Sequence, residues 1–134
     1  MTDFLIWRDA WSIGIDDIDA DHREMVRLIN RLADPQDQRP ILQRFDALTR
    51  HMRAHFAREE RFLERIGYPD LTNHANAHIM EMAELTLLRK DLEASGAGVV
   101  EDADLQAIKT WFFNHAIAED RKFSEYFRSP LRRH

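Results

Sequence analysis

Residues 41–66 read ILQRFDALTRHMRAHFAREERFLERI and show the clearest helical pattern of the chain. Its apolar side chains recur at alternating steps of four and three residues, which is the spacing of the buried face of an α-helix in a bundle. His55 and Glu59 fall on that apolar face and not on the face expected to meet water. The stretch therefore predicts an amphipathic helix that carries an imidazole and a carboxylate into a helical core.

Three other segments show the same alternating spacing of apolar residues. The few glycines and prolines fall between the segments. No segment alternates with a period of two for long enough to form a strand. We therefore expect an all-α protein, an antiparallel up-down-up-down four-helix bundle over residues 18–128 of a single domain, 1–134. An N-terminal arm, 1–17, should pack on the bundle through its tryptophans, and a short C-terminal extension should contain Phe123, Tyr126 and Phe127. The expected buried faces of the other helices are Ile18, His22, Met25, Ile29 and Leu32; Leu71, His74, His78, Met82, Leu85, Leu88 and Leu92; and Leu105, Ile108, Phe112, His115 and Glu119, with Asp120 beside it.

Composition excludes several classes of function. The net charge of −5 argues against a nucleic-acid partner, and the short basic run Arg128, Arg132 and Arg133 is expected to be a solvated tail. No stretch is long enough for a membrane span and no signal-peptide pattern is present, so we expect no membrane insertion and a cytoplasmic location. Because the chain has no cysteine, any metal must be held by nitrogen and oxygen.

Histidines and carboxylates recur on the buried faces of all four predicted helices. A single histidine there is more often a core residue satisfied by one hydrogen bond, but a histidine on every helix would be a costly core without a metal. Imidazole nitrogens with carboxylate oxygens form a ligand set for a transition metal, and seven such ligands suit two ions better than one. The candidate ligands are His22, His55, Glu59, His74, His78, His115 and Asp120.

One candidate has an irregular spacing, and two residues beside the candidates are not expected to be ligands. Asp120 follows His115 by five residues, about 140° round an ideal α-helix, so it reaches the same centre only if the helix ends or widens there, for example in a π-type bulge. His51 lies at the edge of the buried face and should not be a ligand. Glu60, beside Glu59, is expected to face water.

The order of motifs resembles the hemerythrin family, in particular the single-domain bacterial hemerythrins, over nearly the whole chain. The N-terminal motif is WSIGI (11–15) followed by IDADH (18–22), and the second helix carries HFAREE (55–60). GYP (67–69) then leads to His74 and His78. The last motif is Trp111 followed by His115 and Asp120. Each piece alone is weak, but the whole set in this order is specific.

The resemblance implies a non-haem di-iron centre with an oxo or hydroxo bridge that binds dioxygen reversibly. His74, His78 and His115 would hold one iron and His22 and His55 the other, while Glu59 and Asp120 would bridge the two. Three positions depart from the family. Ala116 follows His115 where the family usually has isoleucine. Phe112 replaces a smaller aliphatic residue, and Glu81 stands where an aromatic residue is common, so it could turn to solvent or place an extra carboxylate near the site. The expected lining of the oxygen pocket is Met25, Phe56, Trp111 and Phe112.

Several functions are compatible with such a centre. The leading hypothesis is a non-enzymatic oxygen carrier, store or delivery protein, with an oxygen-using enzyme or a redox partner as a possible recipient. The alternatives are a module that senses oxygen, nitric oxide or iron, a di-iron enzyme that acts on peroxide or nitric oxide, and a metal store. Besides the ligands, only Glu81 stands out as a candidate acid or base.

Overall fold

The computed structural model describes residues 4–96 and 98–128, and within these ranges every regular element is helical. Ala97 of the third interhelical loop, and Arg132 and Arg133 of the predicted basic tail, lie outside these ranges. The prediction of an all-α four-helix bundle is confirmed. The elements are a 3₁₀ turn, Asp9–Trp11; α1, Asp16–Ala33; α2, Ile41–Arg65; α3, Leu71–Ser95; α4, Asp102–Phe112; a π-helical segment, Phe113–Glu119; and α5, Asp120–Arg128.

Helix α1 begins at Asp16, two residues before the predicted boundary, so the N-terminal arm is shorter than the expected 1–17. Asp19 explains this early start. Its buried carboxylate accepts hydrogen bonds from the backbone N–H groups of Ile13, at 2.8 Å, and Gly14, at 3.1 Å, and from the hydroxyl of Ser12. The carboxylate thus satisfies the backbone of the incoming arm and fixes the first turn of the helix.

The turns between helices have identifiable causes. Gly67 follows α2 with a φ of +68°, a left-handed conformation that glycine adopts without steric cost, and Pro69 then prevents the helix from continuing. Between α1 and α2, the buried guanidinium of Arg44 donates to the backbone carbonyls of Arg31, at 2.9 Å, and Leu32, at 3.4 Å. Arg44 therefore satisfies carbonyls that the end of α1 leaves without an intrahelical partner.

The arm packs through its tryptophans, as predicted. Trp7 and Trp11 meet edge to face with 5.7 Å between ring centroids, and Trp11 makes similar contacts with Phe112, at 5.7 Å, and Phe113, at 5.1 Å. Leu5 of the arm exchanges two backbone hydrogen bonds with the side-chain amide of Asn30 on α1. These contacts hold the arm against α1 and against the point where α4 passes into the π-helical segment.

The C-terminal extension is α5, which packs Phe123 into a small core with Ile13, Ile18 and Leu63. Arg128, the first residue of the predicted basic tail, is exposed, but it is not free of contacts. Its guanidinium donates to the carbonyl of Ile13 at 2.5 Å, so it ties the end of α5 to the arm. No helix among the described residues is long and apolar enough to cross a membrane.

Candidate metal centre

All seven predicted ligands lie together in the interior of the bundle, and none exposes more than 5 % of its surface. His22 comes from α1, and His55 and Glu59 lie one turn apart on α2. His74 and His78 lie one turn apart on α3. The π-helical segment and the first residue of α5 supply the last two ligands.

Glu59 lies between side chains of three helices. Its Oε2 lies 2.9 Å from Nε2 of His55, and its Oε1 lies 3.0 Å from Nε2 of His78. Oε1 also contacts Nε2 of His74, and Oε2 lies 3.8 Å from Nε2 of His115. One carboxylate thus faces histidines from α2, α3 and the π-helical segment, a position suited to bridging two ions.

Asp120 approaches the same centre from the opposite side. Its Oδ2 lies 2.8 Å from Nε2 of His22 and 3.3 Å from Nε2 of His115, and its Oδ1 lies 3.5 Å from Nε2 of His74. The backbone explains how Asp120 reaches that far. Its N–H bonds to the carbonyl of His115, five residues back, because the chain from Phe113 to Glu119 is π-helical. The hypothesis of a π-type bulge at this point is therefore confirmed.

The ligand atoms fall into two overlapping groups, in each of which the atoms lie within 4.8 Å of one another. Glu59 belongs to both groups. The ring of His115 lies 5.3 Å from that of His55 and 5.4 Å from that of His78, so it is equally close to both sides. Its assignment to the ion held by His74 and His78 stays a prediction. The groups are His22, His55, Glu59, His115 and Asp120; and Glu59, His74 and His78; a third cluster joins His78 and His115 to Glu81, which is not one of the seven.

The donor set fits a transition metal. Both nitrogens of His22, both oxygens of Asp120 and Oε2 of Glu59 are buried, yet none makes a well-directed hydrogen bond to another described residue. A buried polar group without such a bond costs about 1–3 kcal/mol. Nε2 of His22, Oδ2 of Asp120 and Oε2 of Glu59 belong to the same cluster of potential ligands, in which a metal ion would satisfy them. Five imidazoles and two carboxylates are donors that bind iron and its neighbours in the first transition row.

The two carboxylates influence each other through their charges. Burial alone would raise the pKa of Glu59, but His115 and His55 beside it hold that pKa well below its ordinary range. Burial and the nearby charge of Glu59 raise the pKa of Asp120. For His115, burial acts to lower the pKa, but Asp120 and Glu59 outweigh it and raise the pKa to about 10. The charges of these buried groups therefore interact strongly, because little water is present to screen them.

A second layer of carboxylates touches the outer nitrogens of three ligand rings. Asp21 on α1 lies 2.9 Å from Nδ1 of His55, and Glu60 on α2 lies 2.8 Å from Nδ1 of His78. Glu81 on α3 lies 3.3 Å from Nδ1 of His115. We call these three residues, Asp21, Glu60 and Glu81, the outer carboxylates. Such contacts select the tautomer in which Nε2 presents its lone pair to the centre.

Sequence reasoning had identified only one of the outer carboxylates as a possible neighbour of the site. Glu81 does place an extra carboxylate at the site, one of the two orientations considered for it. Glu60 is half-exposed and meets water as expected, but its carboxylate also bonds to Nδ1 of His78. Asp21 was missed. Its partner lies on another helix, so no spacing within α1 signals the contact.

The residues predicted to line an oxygen pocket are all buried beside the ligands. Phe56 stacks on His78 with 3.9 Å between ring centroids, and Trp111 lies parallel to His115 at 5.9 Å. Phe112 meets His22 edge to face at 6.5 Å. Met25 is fully buried in the same hydrophobic cluster. Their role toward a ligand stays a prediction.

His51 is held away from the ligand atoms. Its Nε2 lies 2.9 Å from the backbone carbonyl oxygen of Asp21, and its side chain is half-buried. This arrangement agrees with the expectation that His51 is not a ligand.

Comparisons with known proteins agree with the geometry. The family described as "Hemerythrin HHE cation binding domain" matches residues 13–127. A bacteriohemerythrin of Stenotrophomonas maltophilia is 28 % identical over 130 residues, which cover 95 % of this chain and 84 % of the relative. A bacteriohemerythrin of Clostridium acetobutylicum is 24 % identical over 126 residues, 88 % of this chain and 97 % of the relative.

Solved structures share the fold. A crystal structure of a hemerythrin in which one leucine is replaced by alanine superposes with a TM-score of 0.82 and 22 % identity, covering 96 % of this chain and all of that one. A phenylalanine variant gives the same TM-score at 23 % identity. The four-helix architecture with buried histidines on every side of its core, together with the family match over residues 13–127, shows that the chain belongs to the hemerythrin family.

Proposed function

We propose that the chain holds two iron ions and binds dioxygen reversibly, as a carrier, store or delivery protein. The observation that carries the proposal is the convergence of seven buried nitrogen and oxygen donors in two groups that share Glu59. One shared carboxylate between two histidine-rich groups is suited to a pair of ions and not to a single one. When bound, the iron pair would supply the electrons that hold dioxygen.

Each ligand has a separate task in this proposal. His74 and His78, with His115, would hold one ion, and His22 and His55 the other. Glu59 and Asp120 would bridge the ions and offset part of their charge. Two dications in a dry interior would otherwise repel each other strongly, because little solvent is present to screen them.

The apolar rings around the ligands favour binding over turnover. Phe56 and Trp111 cover the faces of His78 and His115, and Phe112 packs beside His22. Apolar rings limit the entry of water and so slow the delivery of protons to the site. A protein that binds oxygen reversibly needs this protection, because protonation by water would prevent the release of oxygen unchanged. On this ground we propose a protein that releases oxygen unchanged rather than an enzyme. A recipient in the cytoplasm, an oxygen-using enzyme or a redox partner, completes the proposal.

The experiment is to load the metal-free protein with ferrous iron without air and to measure iron content. We expect close to two irons per chain. Admission of air should then produce a charge-transfer absorption that disappears under argon and returns with air over repeated cycles. A consistent content of one metal would contradict the paired centre. Steady consumption of oxygen, peroxide or nitric oxide by the loaded protein would favour an enzyme instead.

A further inference from the structure

Glu81 is the outer carboxylate whose charge is least compensated. It lies on α3 one turn after His78, and only 14 % of its side chain is exposed. Its buried Oε2 lies 3.3 Å from Nδ1 of His115, which is also buried. Neither atom makes a well-directed hydrogen bond to any residue in the described part of the chain, so this short contact is what links them. A ring nitrogen of His78 belongs to the same cluster, in which one ligand atom each of His78, Glu81 and His115 lie within 4.8 Å of one another.

The other two outer carboxylates differ in this respect. Asp21 is also bound by the guanidinium of Arg58, through contacts of 2.7 and 3.0 Å, so a cation offsets its charge. Glu60 keeps 38 % of its side chain exposed, where water screens its charge. Among the described residues, no arginine or lysine forms an ion pair with Glu81. No such cation therefore offsets its charge beside His115.

A second contact fixes the plane of the same ring. Trp111 lies parallel to His115, with an angle of 7° between the ring planes and 5.9 Å between centroids. Trp111 therefore limits tilting of the imidazole, while Glu81 limits its rotation in the plane and selects which nitrogen carries the proton. Together these contacts direct Nε2 of His115 at Glu59 and Asp120.

We infer that Glu81 is a positioning residue that accepts the Nδ1–H of His115, aims Nε2 at the metal centre and makes this ring a more electron-rich ligand than the others. A carboxylate on the outer nitrogen increases the basicity of a ligating imidazole, and a stronger donor stabilises the more oxidised metal. The part of the inference that concerns the oxidation state of iron rests on the proposed function. The part that concerns the orientation of His115 does not.

Two substitutions separate position from charge. Glu81→Gln keeps a carbonyl oxygen that can accept the Nδ1–H but removes the charge, whereas Glu81→Leu removes both. Glu84→Gln is the matched control, because it makes the same charge change one turn further along α3 at an exposed residue. Thermal unfolding of all variants checks that the fold is retained, and Glu81→Gln remains informative if Glu81→Leu does not fold.

The first measurement uses zinc alone, so that neither oxygen nor a change of oxidation state is involved. We expect ¹⁵N spectra of the zinc-loaded protein to show the Nδ1–H form of His115 in the wild type, in Glu81→Gln and in Glu84→Gln. In Glu81→Leu that proton signal should be lost or exchange rapidly. Zinc affinity should fall about 10- to 100-fold in Glu81→Leu and stay unchanged in Glu84→Gln. An unchanged ring signal and affinity in Glu81→Leu would overturn the positioning role.

The second measurement is the reduction potential of the iron-loaded protein. The potential should rise in both Glu81 variants relative to the wild type and Glu84→Gln. The rise in Glu81→Gln measures the effect of the charge alone, because this variant keeps the acceptor oxygen. An equal potential in Glu81→Gln and Glu84→Gln would overturn the claim of a more electron-rich ligand. If the wild type fails to bind oxygen reversibly, the proposed function falls, but the zinc measurements still decide the role of Glu81.

Discussion

Nε2 of His115 lies 3.3 Å from Oδ2 of Asp120, although five residues separate the two along the chain. An α-helix would instead bring Glu119, four residues on, to the same side as His115. The π-helical segment Phe113–Glu119 changes this register, so that Asp120 is buried and Glu119 turns outward to meet Lys122 at 3.3 Å. One local change of helix type thus decides which of two adjacent acids reaches the centre.

Asp120→Ala should therefore lose at least one metal, whereas Glu119→Ala should keep both. Both substitutions remove one negative charge from adjacent positions, so a difference between them reports position alone. The measurement is metal content after loading with ferrous iron. Equal loss in the two variants would show that the π-helical register does not select the ligand.

Glu59→Ala should abolish the paired centre, because Glu59 is the residue common to both groups of ligand atoms. Glu60→Ala should keep two metals, but it should weaken their binding, up to about 10-fold, because Glu60 supports His78 from outside. Metal content and affinity distinguish the two. Retention of the charge-transfer absorption without Glu59 would refute its bridging role.

His51→Ala should keep full metal content, because His51 bonds to the backbone carbonyl of Asp21 and not to the centre. It should lower the free energy of unfolding by about 1 kcal/mol, the worth of one hydrogen bond. His55→Ala, one turn further along α2, is the comparison and should lose metal. If both variants lose metal equally, the division of α2 into ligand and non-ligand positions is wrong.

Metal uptake should release protons. Burial lowers the pKa of His115, but Asp120 and Glu59 outweigh it and raise this pKa from 6.5 to about 10, so the ring is protonated at pH 7.5 in the metal-free protein. A ligand must lose that proton, so titration with zinc should acidify a weakly buffered solution at pH 7.5 and release fewer protons above pH 10. Calorimetry in buffers of different ionisation enthalpy measures the number of protons released per zinc ion bound.

The same shift makes the stability of the metal-free protein depend on pH. Because the pKa of His115 is higher in the folded than in the unfolded chain, its contribution is complete below about pH 6.5 and is lost as the pH rises through 10. Thermal unfolding should show this decline for the metal-free protein and a smaller one for the loaded protein. For the zinc titration, equal proton release at pH 7.5 and above pH 10 would contradict a raised pKa of His115.

Phe112→Leu should open space beside His22, because Phe112 is fully buried against that ring. We expect a loss of about 1–2 kcal/mol in the free energy of unfolding and a faster oxidation of the iron in air, since water gains access. Phe45→Leu, at another fully buried position of the same cluster, should cost similar stability without changing the oxidation rate. Equal oxidation rates in both variants would show that Phe112 does not limit the access of water to the metal centre.

Much of the architecture could be predicted from the sequence because helical periodicity is local. The steps of four and three in residues 41–66 predict which face of α2 is buried, and the same rhythm placed His55 and Glu59 in the interior, where the structure has them. The five-residue spacing between His115 and Asp120 predicts that the helix either ends or widens there, for example in a π-type bulge, and the structure has the π-helical segment.

Contacts between helices could not be predicted in the same way. Asp21 meets His55, and Glu81 meets His115, across helix interfaces, and Arg128 reaches the carbonyl of Ile13 from the other end of the chain. Spacing along one helix fixes the direction of a side chain around its own axis. It does not fix the axial offset and rotation of the neighbouring helix, which are set by the packing of all the buried side chains together. Local periodicity is therefore enough to predict the helices and the ligands that face inward, but the carboxylates that support those ligands from outside depend on how the helices pack together.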